Sequence, residues 1–172
     1  MIAAGLQFTG NVGNAQSYGI EAEAAAQISP RLQVRGHASY TQAEVVDADP
    51  SFPSLPHSGL PGAPRVLAGG SVIYEYPLTS VVRLLVSGQA RYIGKSNITY
   101  SRQRELSIGG YADVNARLGL GTKEWQATLY ADNLLDGSER TFSYGNPLRL
   151  GGRGIVAPQV PRTIGIEIRR DF

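Results

Sequence analysis

The sequence predicts an all-β protein made of antiparallel transmembrane β-barrel strands, about eight of them. Three observations lead there. Apolar and polar residues alternate with a period of two along most of the chain, which sends them to opposite faces of strands. The connections between these stretches are alternately short and long, the rhythm of barrels with tight periplasmic turns and long extracellular loops. The chain ends on Ile164-Gly-Ile-Glu-Ile-Arg-Arg-Asp-Phe172, an alternating strand closed by an aromatic residue, as expected of the last strand of an outer-membrane barrel.

Each element follows from this alternation. Leu6 and Phe8 read as the end of a first strand. In 18–28 the apolar positions are Tyr18, Ile20, Ala22, Ala24, Ala26 and Ile28, opposite Glu21, Glu23 and Gln27. The run Glu-Ala-Glu-Ala-Ala-Ala-Gln also has good helix propensity; the alternation and the Ser29-Pro30 stop favour a strand. In 31–43, Leu32, Val34, Gly36, Ala38 and Tyr40 oppose Gln33, Arg35, His37, Ser39 and Thr41. Segments 64–76 and 81–93 keep apolar residues on even positions, from Val66 to Tyr76 and from Val82 to Tyr92. Segment 110–120 sets Ala112, Val114, Ala116 and Leu118 against Asp113, Asn115 and Arg117. In 125–133 the apolar side moves to odd positions, Trp125, Ala127, Leu129 and Ala131. Ile164, Ile166 and Ile168 carry the final strand.

The short connections fall at 27–31, 77–80 and 121–124, the long ones at 47–63, 94–107 and 136–160. The apolar face is rich in Ala and Gly. A soluble core would favour larger side chains there to bury more area, and a lipid-facing surface has no such need. Tyr18, Tyr40, Tyr74, Tyr76, Tyr92 and Trp125 lie near strand ends on that face, where an aromatic girdle belongs.

Composition narrows the classes. The chain has 172 residues, 42% of them hydrophobic, enough for one domain. No stretch reaches the roughly 18 consecutive apolar residues of a spanning helix, which leaves barrels open. Cysteine is absent, so disulfides and cysteine-zinc sites are excluded. Net charge is +2 and the cations are scattered, which gives no support for nucleic-acid binding. The opening residues, Met1 to Phe8, lack the features of a signal peptide. His37 and His57 lie on different elements without metal-ligand spacing, and no cofactor is implied. Ser39, His37 and Asp113 invite comparison with a hydrolase triad, but spacing within one strand does not orient one. Gly151-Gly-Arg-Gly154 precedes no helical pattern, so it is not read as a phosphate loop.

Four motifs resemble the C-terminal barrel region of TonB-dependent outer-membrane receptors: Tyr18-Gly-Ile-Glu-Ala-Glu23, Pro61-Gly-Ala-Pro-Arg65, Leu129-Tyr-Ala-Asp-Asn-Leu-Leu-Asp136, and Pro161-Arg-Thr-Ile-Gly165 through Phe172. Singly they are weak; their order is fairly specific. The resemblance implies a partial barrel from a larger receptor of roughly 22 strands plugged by an N-terminal domain. Residues 1–172 would be the C-terminal barrel segment, without plug or signal peptide. It implies residence in bacterial outer-membrane lipid, insertion by the barrel-assembly machinery, and no catalysis. It further implies uptake of a scarce nutrient, foremost a ferric-siderophore, coupled to the TonB protein through the missing N-terminal part.

The candidate sites follow. On the lumen-side parity are Glu21, Glu23, Arg35, Glu75, Arg83, Arg91, Asp113, Arg117 and Asp132. They fit a polar wall meeting plug or cargo, or, more plainly, a set of mutual ion pairs in a wet lumen. Loop residues Tyr100, Arg102, Arg104, Phe142, Tyr144, Arg149 and Arg153 are candidate ligand anchors, since aromatic and arginine side chains often carry binding energy. Ile164, Ile166, Ile168 and Phe172 form the candidate assembly signal. Arg170 breaks its apolar series, a fault that snorkelling to the periplasmic interface would relieve. Two other readings stand beside this one: a complete eight-stranded outer-membrane barrel with a structural or adhesive role, and a soluble all-β binding module.

Overall fold

A computed structural model describes residues 11, 13–51, 55–100, 107–144 and 155–170. Among them are eleven strands and no helix: β1 (Gly13–Ser29), β2 (Leu32–Ala48), β3 (Val66–Pro77), β4 (Arg83–Ile93), β5 (Ser96–Asn97), β6 (Ser107–Ile108), β7 (Tyr111–Gly121), β8 (Trp125–Asp132), β9 (Arg140–Tyr144), β10 (Ile155–Pro158) and β11 (Thr163–Arg170). Seven form one sheet in the order β1-β2-β3-β4-β7-β8-β11, every neighbour antiparallel. The expected strand at Leu6 and Phe8 lies outside the described residues.

Hydroxyl groups close the three tight turns. The Ser29 Oγ accepts the Arg31 N–H at 3.3 Å. The Thr79 Oγ1 accepts the Val81 and Val82 N–H groups at 3.2 and 3.0 Å. The Thr122 Oγ1 accepts those of Glu124 and Trp125 at 3.3 and 3.0 Å. Ser and Thr favour turns because their side chains satisfy local backbone donors.

The opposite end of the sheet carries the long connections. The β5–β6 and β9–β10 pairs lie within them. Gly62 N–H donates to the Asn97 carbonyl at 2.8 Å and Gly109 N–H to the Arg140 carbonyl at 2.9 Å, so all three connections are joined through their backbones. Gly109 and Gly110 adopt φ of +79° and +78°, a conformation other residues rarely take. Among the described residues the buried apolar ones are few: Val45, Leu55 and Tyr111. Val45 is enclosed where the connection after β2 folds back and exchanges backbone bonds with it through Ser58 and His57. Among the described residues no second layer covers the sheet, whose two faces differ sharply.

Candidate functional site

Strand register aligns the apolar positions across all seven strands. Ile20 pairs with Tyr40, Ala22 with Ala38 and Ala24 with Gly36. Tyr40 pairs with Val66 and Val34 with Val72, then Val72 with Gly88 and Val86 with Leu118. Leu118 pairs with Leu129 and Leu129 with Ile166. The switch from even to odd parity at β8 is thus absorbed by the turn at 122–124. Between the upper tyrosines and the lower aromatic row this face bears no charged or polar side chain. It is open: Ile20 is 74% exposed and Ile166 72%. A patch of this extent on a soluble monomer would be anomalous.

The face also has limits. Above Tyr18 and Tyr40 it becomes polar, where Glu44 accepts hydrogen bonds from Gln16 at 3.1 Å and Gln42 at 3.3 Å. At the short-turn end, Tyr74 and Tyr76 stack at 6.3 Å. The Arg31 guanidinium lies 4.9 Å from the Tyr76 ring centre, and that of Arg170 lies 5.0 Å from Trp125. From Tyr18 to Ile28 the strand runs about 33 Å at about 3.3 Å per residue. Tilted by about 40°, it rises about 25 Å, the height of the apolar band of outer-membrane barrels.

The other face is polar. Arg91 and Asp113, opposite one another on β4 and β7, pair at 2.8 Å. Arg117 reaches Asp132 at 3.4 Å and lies 5.6 Å from the Tyr130 ring centre. Tyr130 in turn lies over Gly165, where a Cβ would stand 2.5 Å from the phenolic oxygen. His37 covers Gly69 in the same way. Glu21, Glu23 and Arg35 take this face at the β1–β2 ladder, with Glu23 opposite His37. Glu75 and Arg83 take it near the short turns of β3 and β4. No triad assembles from Ser39, His37 and Asp113. Asp113 is held by Arg91, and β7 stands three strand spacings from β2, about 14 Å.

At the loop end a polar hub joins two of the recognised motifs. Asn133, 5% exposed, has φ +50°. Its Nδ2 donates to the carbonyls of Gly137 and Val160, both at 2.8 Å. Its Oδ1 accepts the Gly137 N–H at 3.0 Å, and its own N–H donates to Asn115 Oδ1 at 2.9 Å. Beside it Asp136 pairs with Arg162 at 3.3 Å. Neither Asn133 nor Arg162 stands among the candidate site residues of the sequence. The Asn-Leu-Leu-Asp and Pro-Arg-Thr motifs held them, but nothing in the spacing says they meet. Farther along this rim, Asp49 accepts the Ser51 N–H at 2.8 Å, which holds its carboxyl below the ordinary value.

Of the loop candidates, Tyr100 is partly buried after β5 and Phe142 is 52% exposed on β9. Tyr144 ends β9. Arg102, Arg104, Arg149 and Arg153 lie outside the described residues. Ile164, Ile166 and Ile168 line the apolar side of β11, and Phe172 lies outside the described residues. Among the described residues no acidic or histidine cluster could hold a metal ion.

Residues 2–134 match the family described as TonB dependent receptor-like, beta-barrel. The pesticin receptor of Yersinia pestis is 29% identical over 97% of this chain and 24% of its own length. That of Yersinia enterocolitica is 28% identical over 98% of the chain and 24% of its length. The crystal structure of the ferric yersiniabactin uptake receptor from Yersinia pestis aligns with a TM-score of 0.78 at 27% identity, covering 94% of this chain and 24% of that one. The chain thus spans about a quarter of the length of these relatives. The match over most of the chain, the antiparallel sheet and the structural likeness agree: the chain belongs to the TonB-dependent receptor β-barrel family.

Proposed function

We propose that these seven strands form part of the wall of an outer-membrane receptor that takes up a ferric-siderophore with energy delivered by TonB. The observation that carries this reading is the apolar face, continuous across seven registered strands and bounded by aromatic residues at both ends. Such a face suits lipid, and family members are outer-membrane proteins. The polar face then lines a lumen. Its pairs, Arg91–Asp113 and Arg117–Asp132, serve chiefly to neutralise one another in that wet interior, and Glu21, Glu23, Arg35 and Arg83 extend the same wall. The names of the relatives, a pesticin receptor and a ferric yersiniabactin uptake receptor, support a siderophore as cargo. They are receptors, and no catalytic chemistry is assigned to this chain.

Within this reading residues 1–172 act as a barrel segment. Plug and TonB contact belong to other parts of a receptor of the relatives' length. The joined loop end faces the exterior, and Tyr100, Arg102, Arg104, Phe142, Tyr144, Arg149 and Arg153 are the ligand anchors proposed there. Ile164, Ile166, Ile168 and Phe172 present the strand read by the barrel-assembly machinery.

Single cysteines along β4 test the orientation. In outer membranes, Val86→Cys and Ala90→Cys should resist a water-soluble maleimide and respond to a lipid-phase quencher. Ser87→Cys and Gln89→Cys should do the reverse. Equal labelling at all four would refute the two-faced wall. For cargo, cells carrying the full-length receptor should take up iron-55 complexed to a siderophore, and Arg102→Gln with Arg104→Gln should raise the half-saturating concentration. Uptake unchanged by deletion of the gene would refute the transport assignment.

A further inference from the structure

The short-turn rim of the apolar face holds a feature that spanning a bilayer does not itself require. Two arginines stand over two aromatic rings on the lipid side. Arg31 follows the Ser29-Pro30 turn, with its guanidinium 4.9 Å from the centre of Tyr76. Arg170 occupies the last apolar-parity position of β11, opposite Trp125, and lies 5.0 Å from that ring. Tyr76 and Trp125 remain 39% and 47% exposed. Among the described residues no carboxylate pairs with Arg31.

We propose that each Arg–aromatic pair binds the phosphate group of a phospholipid in the leaflet beside the short turns. This rests on the membrane reading above. Short turns of outer-membrane barrels face the periplasm, so the last row of the apolar face lies at the phosphate depth of the inner leaflet. A guanidinium carries its N–H donors in a planar fork that meets two phosphate oxygens at once. A ring beneath the guanidinium restrains the long side chain before a ligand arrives, so less freedom is lost on capture. The columns leading away from the two pairs, Val72 with Val34 and Leu129 with Ile166, are apolar beds for acyl chains. Three strand spacings separate β3 from β8, about 14 Å. The two pairs therefore hold two separate lipids, not one.

The test compares wild-type full-length receptor with a receptor carrying Arg31→Gln and Arg170→Gln. Both are taken from outer membranes into mild detergent, and native mass spectrometry reads retained phosphatidylethanolamine and phosphatidylglycerol. The wild type should keep phospholipid adducts and reject diacylglycerol, which has the chains without the phosphate. A basic residue near an anionic lipid surface contributes about fivefold in affinity. The double variant should therefore lose roughly fivefold at each of the two lipid sites, while still inserting and resisting extraction by carbonate. Arg31→Lys with Arg170→Lys, which keeps charge and folding but not the fork, should fall between. Equal phospholipid retention in wild type and double variant overturns the inference and leaves the membrane reading intact. Displacement of the lipid by millimolar inorganic phosphate would also overturn it, since the site would then be a plain anion site. Wild-type receptor in the aqueous fraction would remove the membrane reading itself, a separate and distinguishable failure.

Discussion

Asn133 is the residue whose replacement should be felt most strongly for its size. Its amide makes three hydrogen bonds to the backbone, two through Nδ2 and one through Oδ1, at a site 5% exposed. Each is worth about 1 kcal/mol net, so removing the side chain costs about 3 kcal/mol. Its backbone lies at φ +50°, where alanine costs about 1 kcal/mol more than glycine. Asn133→Gly should therefore lose about 3 kcal/mol and Asn133→Ala about 4 kcal/mol. Asn133→Asp should be worst at neutral pH. It keeps the shape but turns a carboxylate oxygen toward the carbonyls of Gly137 and Val160, two acceptors that have lost their donor. Urea unfolding in detergent, followed through Trp125, gives the order. Trypsin cleavage within 138–159 should accelerate in the same sequence. An Asn133→Asp variant as stable as wild type, or an alanine variant more stable than the glycine one, would refute the hub.

Three further outcomes follow from the two faces and the rim. Gly165→Ala should lose about 1 kcal/mol or less, because its methyl group would stand 2.5 Å from the Tyr130 hydroxyl and 2.6 Å from Cζ, the end of a half-buried side chain that can swing aside; urea unfolding reads it, and adding Tyr130→Ala should recover part of the loss. Ala24→Arg, at mid-height on the apolar face, should cost about 2–4 kcal/mol, whereas Arg91→Ala, which breaks a pair whose arginine is 53% exposed, should cost at most about 1 kcal/mol. The titration of Asp49, read by carboxyl NMR shifts, should fall below the ordinary aspartate range and return to it in Ser51→Pro, which lacks the N–H donor. A depressed folded-state value means the Ser51 contact stabilises above the unfolded pKa and is lost as pH falls through the folded one, so loosening of this turn belongs to strongly acidic solution.

The strands were legible because one physical rule governs them. Lipid on one side and water on the other enforce a strict period of two, and the rule survives even the parity switch between Leu120 and Trp125. Where the rule lapses, so does the reading. β1 and β2 run well past Tyr18 and Tyr40, through Asn14 to Ser17 and Glu44 to Ala48, where the connection after β2 encloses Val45, lipid no longer sets either face, and polarity no longer alternates. β5, β6, β9 and β10 are short and sit in loops whose backbone pairing, not side-chain pattern, defines them. Pairwise geometry was hidden for another reason. Tyr130 over Gly165 and Asp136 against Arg162 depend on register between β8 and β11, and thirty intervening residues of loop leave that register unspecified by local sequence. Arg170 was legible as an exception to its apolar series, but its indole partner emerges only once Trp125 is placed directly opposite.

Closure of the wall can be argued from strand count and curvature. Seven strands in antiparallel order alternate in direction, so β1 and β11 run the same way. Joining these two edges directly would create a parallel seam in a sheet whose other pairs are all antiparallel. Leaving them open is no alternative in hydrocarbon, where every unpaired backbone group is costly. Under the membrane reading proposed above, β1 and β11 both need partner strands. The small-barrel reading could supply a single strand and restore the alternation. Curvature opposes it, because barrel diameter grows with strand number. An eight-stranded wall bends far more tightly than one of roughly 22 strands. This sheet instead follows about a quarter of a large receptor with a TM-score of 0.78. Over 94% of its length the chain superposes on the wall of that large receptor, and under the function proposed above its polar side, with Arg91, Asp113 and Arg117, faces the lumen of such a wide barrel.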